Sequence, residues 1–133
     1  MTTEDKQKIY SSGDYRSLTD AQKRVFRQVI EDLDGRGLFK ATDISVIASY
    51  SRNVILARLA SKELEKHGIL IAEEDKYHGT KLKQNPAVDI LQKTQRAMED
   101  TAIRIGLTPT GRKRLRDEAS EKSASEVWDE QDD

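Results

Sequence analysis

From Asn85 to Gly106 the chain leaves little choice of structure. Asn85 can cap a helix, and Pro86 suits its first position, where the ring presets φ and the missing N–H has no intrahelical partner. Ala87, Ile90, Leu91, Thr94, Ala97, Met98, Thr101, Ala102 and Ile105 then fall on one narrow stripe, and Gly106 is the residue type that ends helices. The spacing predicts a helix over 86–105, roughly 30 Å long at ~1.5 Å per residue. Ala and Thr are as prominent in that stripe as Ile and Leu, which suits close helix-on-helix packing within a subunit or between subunits.

The other periodic segments are helical too. Thr19 and Gln22 form a capping box, and Val25, Phe26, Val29, Ile30 and Leu33 share one face of a helix over 20–34 that ends before Gly35 and Gly37. Lys23, Arg24 and Arg27 occupy its N-terminal half and Glu31, Asp32 and Asp34 its C-terminal end, against the macrodipole, at a cost of a few tenths of a kcal/mol each, roughly. Such a cost is consistent with drift and equally with placement for a ligand. Thr42 is expected to cap a region over 43–67 in which Ile44, Ile47, Ala48, Val54, Ile55 and Leu59 keep to one side until Gly68. Leu56, Ala60 and Leu64 lie on the opposite side, so this region needs two contact surfaces. Ser49, Tyr50 and Ser51 allow either one helix or two, 43–50 and 52–67, although no Gly or Pro enforces a turn.

Between these helices Ile69–Ala72 is a short apolar run and Tyr77–Leu82 alternates, which reads as a small β-hairpin or an extended loop. Residues 1–18 are polar, contain Ser11, Ser12 and Gly13, and read as a flexible arm. Thr108-Pro109 opens a short last helix with Arg112, Lys113, Arg114 and Arg116. The expected order is an arm over 1–18, a helical region over 19–84, an oligomerisation helix and basic helix over 85–116, and a disordered acidic tail over 117–133 with Val127 and Trp128 as an apolar island.

Composition removes several function classes. The 133 residues contain no Cys, so disulfides, zinc knuckles and thiol catalysis are excluded, and two separate His residues do not make a metal site. No run of ~18 apolar residues is present and the N-terminus does not resemble a secretory signal, so neither a membrane span nor export is expected. The formal net charge of -1 hides an asymmetry. Residues 1–116 hold 22 Lys and Arg against 16 Asp and Glu, whereas residues 117–133 hold one Lys against eight acids. A mildly basic body is compatible with a polyanion, and equally with a solvated surface.

No phosphate loop, Gly-x-Ser-x-Gly elbow or His-Glu-x-x-His helix occurs, and Glu73, Glu74 and Asp75 fall in an expected exposed turn. No active site and no cofactor are predicted. His67, just before Gly68, is placed to meet the last helical carbonyls, and His78 falls in the hairpin, so both read as structural. Helices followed by a hairpin have the order of a winged helix-turn-helix, with Arg52, Arg58 and Lys62 on the segment that would be its recognition helix. Arg58 falls within the apolar stripe by angle, so snorkelling or an interface role serves it as well as a phosphate contact.

Asn85-Pro86-Ala87-Val88, a helix, and then Gly106-Leu107-Thr108-Pro109-Thr110-Gly111-Arg112-Lys113-Arg114-Leu115 resemble the end of the small terminase subunits of tailed bacteriophages, in the group closing with an NP-helix-GLTPxxRxRL pattern. Leu18-Thr19, Gly37-Leu38, Thr42-Asp43 and Gly68 agree in layout, so the resemblance covers about residues 18–116. The Gly/Pro/Arg-rich basic arm common in that group is replaced here by the mixed-charge segment from Thr2 to Gly13.

The resemblance implies a non-enzymatic factor in the cytoplasm of an infected bacterial host. Such a factor recognises double-stranded viral DNA and delivers it to the large terminase subunit, whose ATPase and nuclease do the chemistry. It implies a mainly α fold, with helix-turn-helix-like N-terminal helices and a long antiparallel helical hairpin, assembled into a ring. Expected DNA contacts are Lys23, Arg24, Arg27, Arg52, Arg58, Lys62, Arg112, Lys113, Arg114 and Arg116. Expected subunit contacts are Leu56, Ala60, Leu64, Ile90, Ala97, Met98 and Ile105, and Val127 and Trp128 would anchor the tail to the large subunit or the portal. The alternatives are a winged-helix transcriptional regulator and a helical scaffold that binds only protein.

Overall fold

Thr19 accepts a hydrogen bond from the Gln22 N–H and the Gln22 side chain accepts one from the Thr19 N–H, so the predicted capping box starts helix α3, Asp20–Gly35. The computed structural model describes residues 1–77 and 79–131, with side chains described as far as Ser123. Two short helices precede α3: α1, Thr3–Tyr10, and α2, Gly13–Arg16. After α3 come a 3-10 turn at Ala41–Asp43, helix α4, Ile44–His67, strands β1, Leu70–Asp75, and β2, Gly79–Gln84, helix α5, Ala87–Ile105, and helix α6, Pro109–Gln131.

Three expectations need correction. The arm over 1–18 is helical and docked, because Ile9 and Leu18 are buried and Tyr10 and Tyr15 pack as tilted and edge-on rings around Phe26, with centroids 5.0–6.5 Å apart. These anchors share no single helical period because the chain turns at Ser11 and Ser12, where Ser12 caps α2. Of the two arrangements left open for 43–67 the single helix is the one present, Ile44–His67, in which Ser51 is buried and donates its hydroxyl to the Ile47 carbonyl, so the polar run Ser49-Tyr50-Ser51 is absorbed without a turn. With α4 continuous through Arg52, no turn divides this region into two helices. Thr42 does not cap α4; it sits in the 3-10 turn, and the cap position, Asp43, makes no side-chain hydrogen bond. Helix α6 runs on to Gln131 where a disordered tail was expected, since no Gly or Pro follows Gly111 to stop it.

The molecule has two unlike halves. In the head, α1 to α3, the first half of α4, the end of α5 and Leu107 enclose Phe26, Ile30, Leu33, Ile47 and Ile105, with Met98 packed against them. In the stalk, α4 and α5 run antiparallel with only small side chains fully buried there, namely Ala57, Ala60, Ala87 and Thr94. Thr94 satisfies its hydroxyl internally by donating to the Ile90 and Leu91 carbonyls. At the stalk tip Asn85 is buried and joins the two helices. Its side-chain N–H donates to the Gly68 carbonyl and its side-chain oxygen accepts from the Ala87 N–H, each at 3.0 Å.

The hairpin forms as predicted, with Glu73 opposite Lys81 and Ala72 opposite Leu82. Glu73, Glu74 and Asp75 therefore belong to β1 and not to a turn.

Candidate nucleic-acid interface

The basic half of α3 faces the arm. Arg27 donates to the Tyr15 hydroxyl at 2.7 Å, the Lys23 ammonium lies 5.3 Å from the centroid of the same ring, and Arg52 on α4 donates to the Ser17 hydroxyl at 2.8 Å. Three cations from two helices are thus gathered around the short segment Tyr15–Ser17. Their partners are neutral hydroxyls and a ring face, so the positive charge is oriented and not cancelled. Arg24, Arg58 and Lys62 have no ion-pair partner among the described residues; Arg24 and Arg58 are exposed, as is Lys62. Arg52 and Lys62 lie ten positions apart on α4, about 15 Å along its axis, so the basic set extends from the head on to the stalk.

The charges of α3 that oppose its macrodipole thus have a structural use. Lys23 and Arg27 hold Tyr15, and Arg36 at the helix end pairs with Asp32 at 3.1 Å. Sequence reasoning missed Tyr15 and Ser17 because a polar arm gives no period.

The basic cluster of α6 is built differently. Gly106 ends α5 with φ 86°, in the left-handed region, and Thr108 caps α6 by accepting from the Gly111 N–H at 3.0 Å. Gly111 is buried where a β-carbon would run into the Ile103 backbone, so α5 and α6 touch main chain to side-chain-free main chain. Arg112 points back and donates to the Gly106 carbonyl at 3.5 Å, and Leu115 packs over Gly106. Gly-Leu-Thr-Pro-x-Gly-Arg is therefore a helix corner. Arg114 pairs with Glu118 at 3.3 Å, which leaves Lys113 and Arg116 as the exposed, unpaired cations of this cluster among the described residues. The neighbouring cleft of about 560 Å³ sets Lys40, Arg104 and Arg114 beside Asp43, Asp100 and Glu118, a balanced field that does not select a phosphate.

A family model described as phage terminase, small subunit, matches residues 22–122, from the first turn of α3 to beyond the middle of α6. The chain belongs to the phage terminase small subunit family. No curated protein and no solved structure matches it.

As a small terminase subunit the chain has its general role in phage DNA packaging, in a family that is generally non-catalytic. The docked arm lies wholly outside the matched span. Among the described residues no three His, Cys, Asp or Glu side chains gather as a metal site, and no helix is long and apolar enough to cross a membrane. His67 pairs with Glu63 through Nδ1 at 2.8 Å, one turn back on α4, and His78 lies outside the described residues.

The expected subunit contacts divide by position. Ile105 is 2% exposed in the head core and Ala60 is 5% exposed within the stalk, so neither has surface to give to a neighbour. Leu64, Ala97 and Met98 are half-buried, and Leu56 and Ile90 face outward. Leu59, Ile69, Leu70 and Leu82, which sequence reasoning did not select for this role, are 57–65% exposed on the same half of the molecule. The side chains of Val127 and Trp128 lie outside the described residues.

Proposed function

We propose that this small terminase subunit initiates packaging by binding double-stranded viral DNA through phosphate contacts and presenting it to the large terminase subunit. The carrying observation is the set Lys23, Arg27 and Arg52 held around Tyr15–Ser17 with no carboxylate among the partners, continued by exposed Arg24, Arg58 and Lys62. Lys113 and Arg116 extend it on α6, while Arg112 and Arg114 are committed to the corner and to Glu118. Neutral partners can be exchanged for phosphate oxygens at little cost, because charge-assisted hydrogen bonds to phosphate are the stronger ones and the cations are already aimed by the arm.

The chain acts as a multi-subunit assembly, in keeping with a ring, with the stalk as the contact between copies. A stalk whose large apolar side chains face outward is completed by another stalk. The acidic half of α6, with Val127 and Trp128, serves as the docking element for the large subunit or the portal, an aromatic residue in a charged segment being a suitable anchor.

Binding to a labelled duplex of random sequence across a salt series tests the DNA reading. Arg58→Ala with Lys62→Ala should weaken binding on every sequence and lower the slope of log affinity against log salt by ~1 for each phosphate interaction removed. Affinity and slope both unchanged would remove the α4 stripe from the interface.

A further inference from the structure

Two side chains of the docked arm have donors to spare. The Tyr15 hydroxyl accepts from Arg27 at 2.7 Å, at the surface, and its own proton has no acceptor among the described residues. Arg16, the last residue of α2, is exposed and has no ion-pair partner among the described residues, although Asp14 is close in sequence. Ser17 differs from both, because it donates its hydroxyl to the Asp14 carbonyl at 3.0 Å while it accepts from Arg52. A hydroxyl has one proton to give, so Ser17 positions Arg52 and has nothing left to donate.

The spare donors sit where positive charge already converges. Arg16 stands between Tyr15 and Ser17, which receive hydrogen bonds from Arg27 and Arg52, and Lys23 lies over the Tyr15 ring. A phenol that accepts from a guanidinium is polarised by it and becomes a better donor through its remaining O–H. Arg27 spends a single N–H on Tyr15 and keeps its others, so it can take a phosphate oxygen with the tyrosine still beside it. The place is firm as well. Tyr15 packs against Tyr10 and Phe26 with centroids 5.0 and 5.2 Å apart, and Ile9 and Leu18 on either side of it in the chain are buried. Donors held in this way lose little freedom when a ligand arrives.

We propose that the arm is itself part of the phosphate-binding surface, with Arg16 supplying a cation and the Tyr15 hydroxyl a neutral donor to the DNA backbone beside Arg27. The two contributions differ in kind. A cation that meets a phosphate releases counterions, whereas a hydroxyl fixes position and adds affinity without changing the charge. The arm precedes residues 22–122, the span that the family model matches, so the role belongs to this chain's own residues. The inference rests on the DNA reading above and adds to it two ligands from the arm.

Full-length variants compared on the labelled random duplex across a salt series test it. Arg16→Ala should weaken binding on every sequence and lower the salt slope by ~1, while Arg16→Lys should keep the slope. Tyr15→Phe keeps the ring in its packing and removes only the hydroxyl. It should weaken binding about three- to tenfold with the slope unchanged, since no cation is lost. In an Arg27→Ala background Tyr15→Phe should weaken binding again by a similar factor. No further loss there would mean that the hydroxyl acts only through Arg27, and would overturn the proposal, as would an Arg16→Ala slope equal to that of the wild type. The two readings fail separately. If Arg58→Ala with Lys62→Ala weakens binding and the arm variants do not, the arm alone is struck from the interface. A wild-type chain with no salt-sensitive binding to the duplex overturns the DNA reading and this inference together.

Discussion

The head and the stalk solve the same packing problem with different residues. In the head, Phe26, Ile30, Leu33, Ile47 and Ile105 are almost fully buried and the arm adds Ile9 and Leu18. In the stalk the two helices meet through Ala57, Ala60, Ala87 and Thr94, while Leu56, Leu59 and Ile90 point away. At ~25 cal/mol per Å² of apolar area, the head has a driving force inside one subunit, whereas the stalk leaves its large apolar side chains exposed. The same helix α4 takes part in both. It packs against both α3 and α5; Ile47, Ala48 and Val54 of its first half belong to the head core, and Ala57 and Ala60 are buried further along. In the stalk part of α4, Arg58, Leu59 and Lys62 are exposed.

The sharpest way to break this comparison is to truncate one large side chain in each half. Phe26→Ala should cost about 3–5 kcal/mol in urea unfolding, because its burial is forfeited and a cavity opens among Tyr10, Tyr15 and Ile30. Leu59→Ala should change the stability of the isolated subunit by less than about 0.5 kcal/mol and lower the assembled fraction instead. Equal destabilisation at both sites would mean that the stalk has an interior of its own.

Gly111→Ala comes next. A β-carbon there meets the Ile103 backbone, which cannot rotate away, so a destabilisation of about 1–3 kcal/mol is expected, whereas Gly13→Ala meets no atom within 4 Å and should be nearly neutral. A neutral Gly111→Ala in thermal melts would show that the α5–α6 corner is looser than described. Asn85→Ala leaves the Gly68 carbonyl and the Ala87 N–H without partners at the stalk tip and should cost about 1–3 kcal/mol, read as faster amide exchange near both residues.

The smallest effect belongs to the arm. Burial against α3, aided by the nearby Glu31 carboxylate, raises the Tyr10 pKa above its ordinary value of 10.0. The folded state therefore holds that proton more tightly than the unfolded one. The resulting stability is present below the unfolded pKa and fades as pH rises past it towards the folded value. Ultraviolet titration should show one phenol ionising late in the wild type and at its ordinary pH once Ile9→Asp has released α1. A late phenol that persists in that variant would place the raised group elsewhere.

Much of the fold was legible because strong local rules agreed with the tertiary structure. The Thr19 box, the stripe from Val25 to Leu33, Asn85-Pro86 and Gly106 each marked a boundary that the structure keeps within a residue or two. The two opposed apolar sides of α4 also told correctly that it has two partners. The arm was not legible, because Ile9, Tyr10, Tyr15 and Leu18, spread over two short helices and the turn after them, produce no period, and their value depends on Phe26, a residue distant in sequence. The break at Ser49-Tyr50-Ser51 was not decidable from propensity, since a buried serine bonded to its own helix looks the same in sequence as a turn serine.

The site was legible as charge and not as arrangement. Lys23, Arg24, Arg27, Arg52, Arg58 and Lys62 were found as basic residues, but that Tyr15 and Ser17 aim three of them depends on pairings that reach as far as 35 positions along the chain. Gly-Leu-Thr-Pro was legible as a family mark, and its physical content, a corner that brings two backbones together at Gly111, needed the structure.

Amide hydrogen exchange on the full chain at two protein concentrations, one well below and one well above the onset of assembly, tests the central contrast most directly. Protection in α3 and the first half of α4 should be the same at both, while protection in the second half of α4, in β1 and β2 and in the first half of α5 should rise with concentration. Stalk protection that is strong and unchanged on dilution to monomer would contradict the account, because the stalk would then be complete within one subunit.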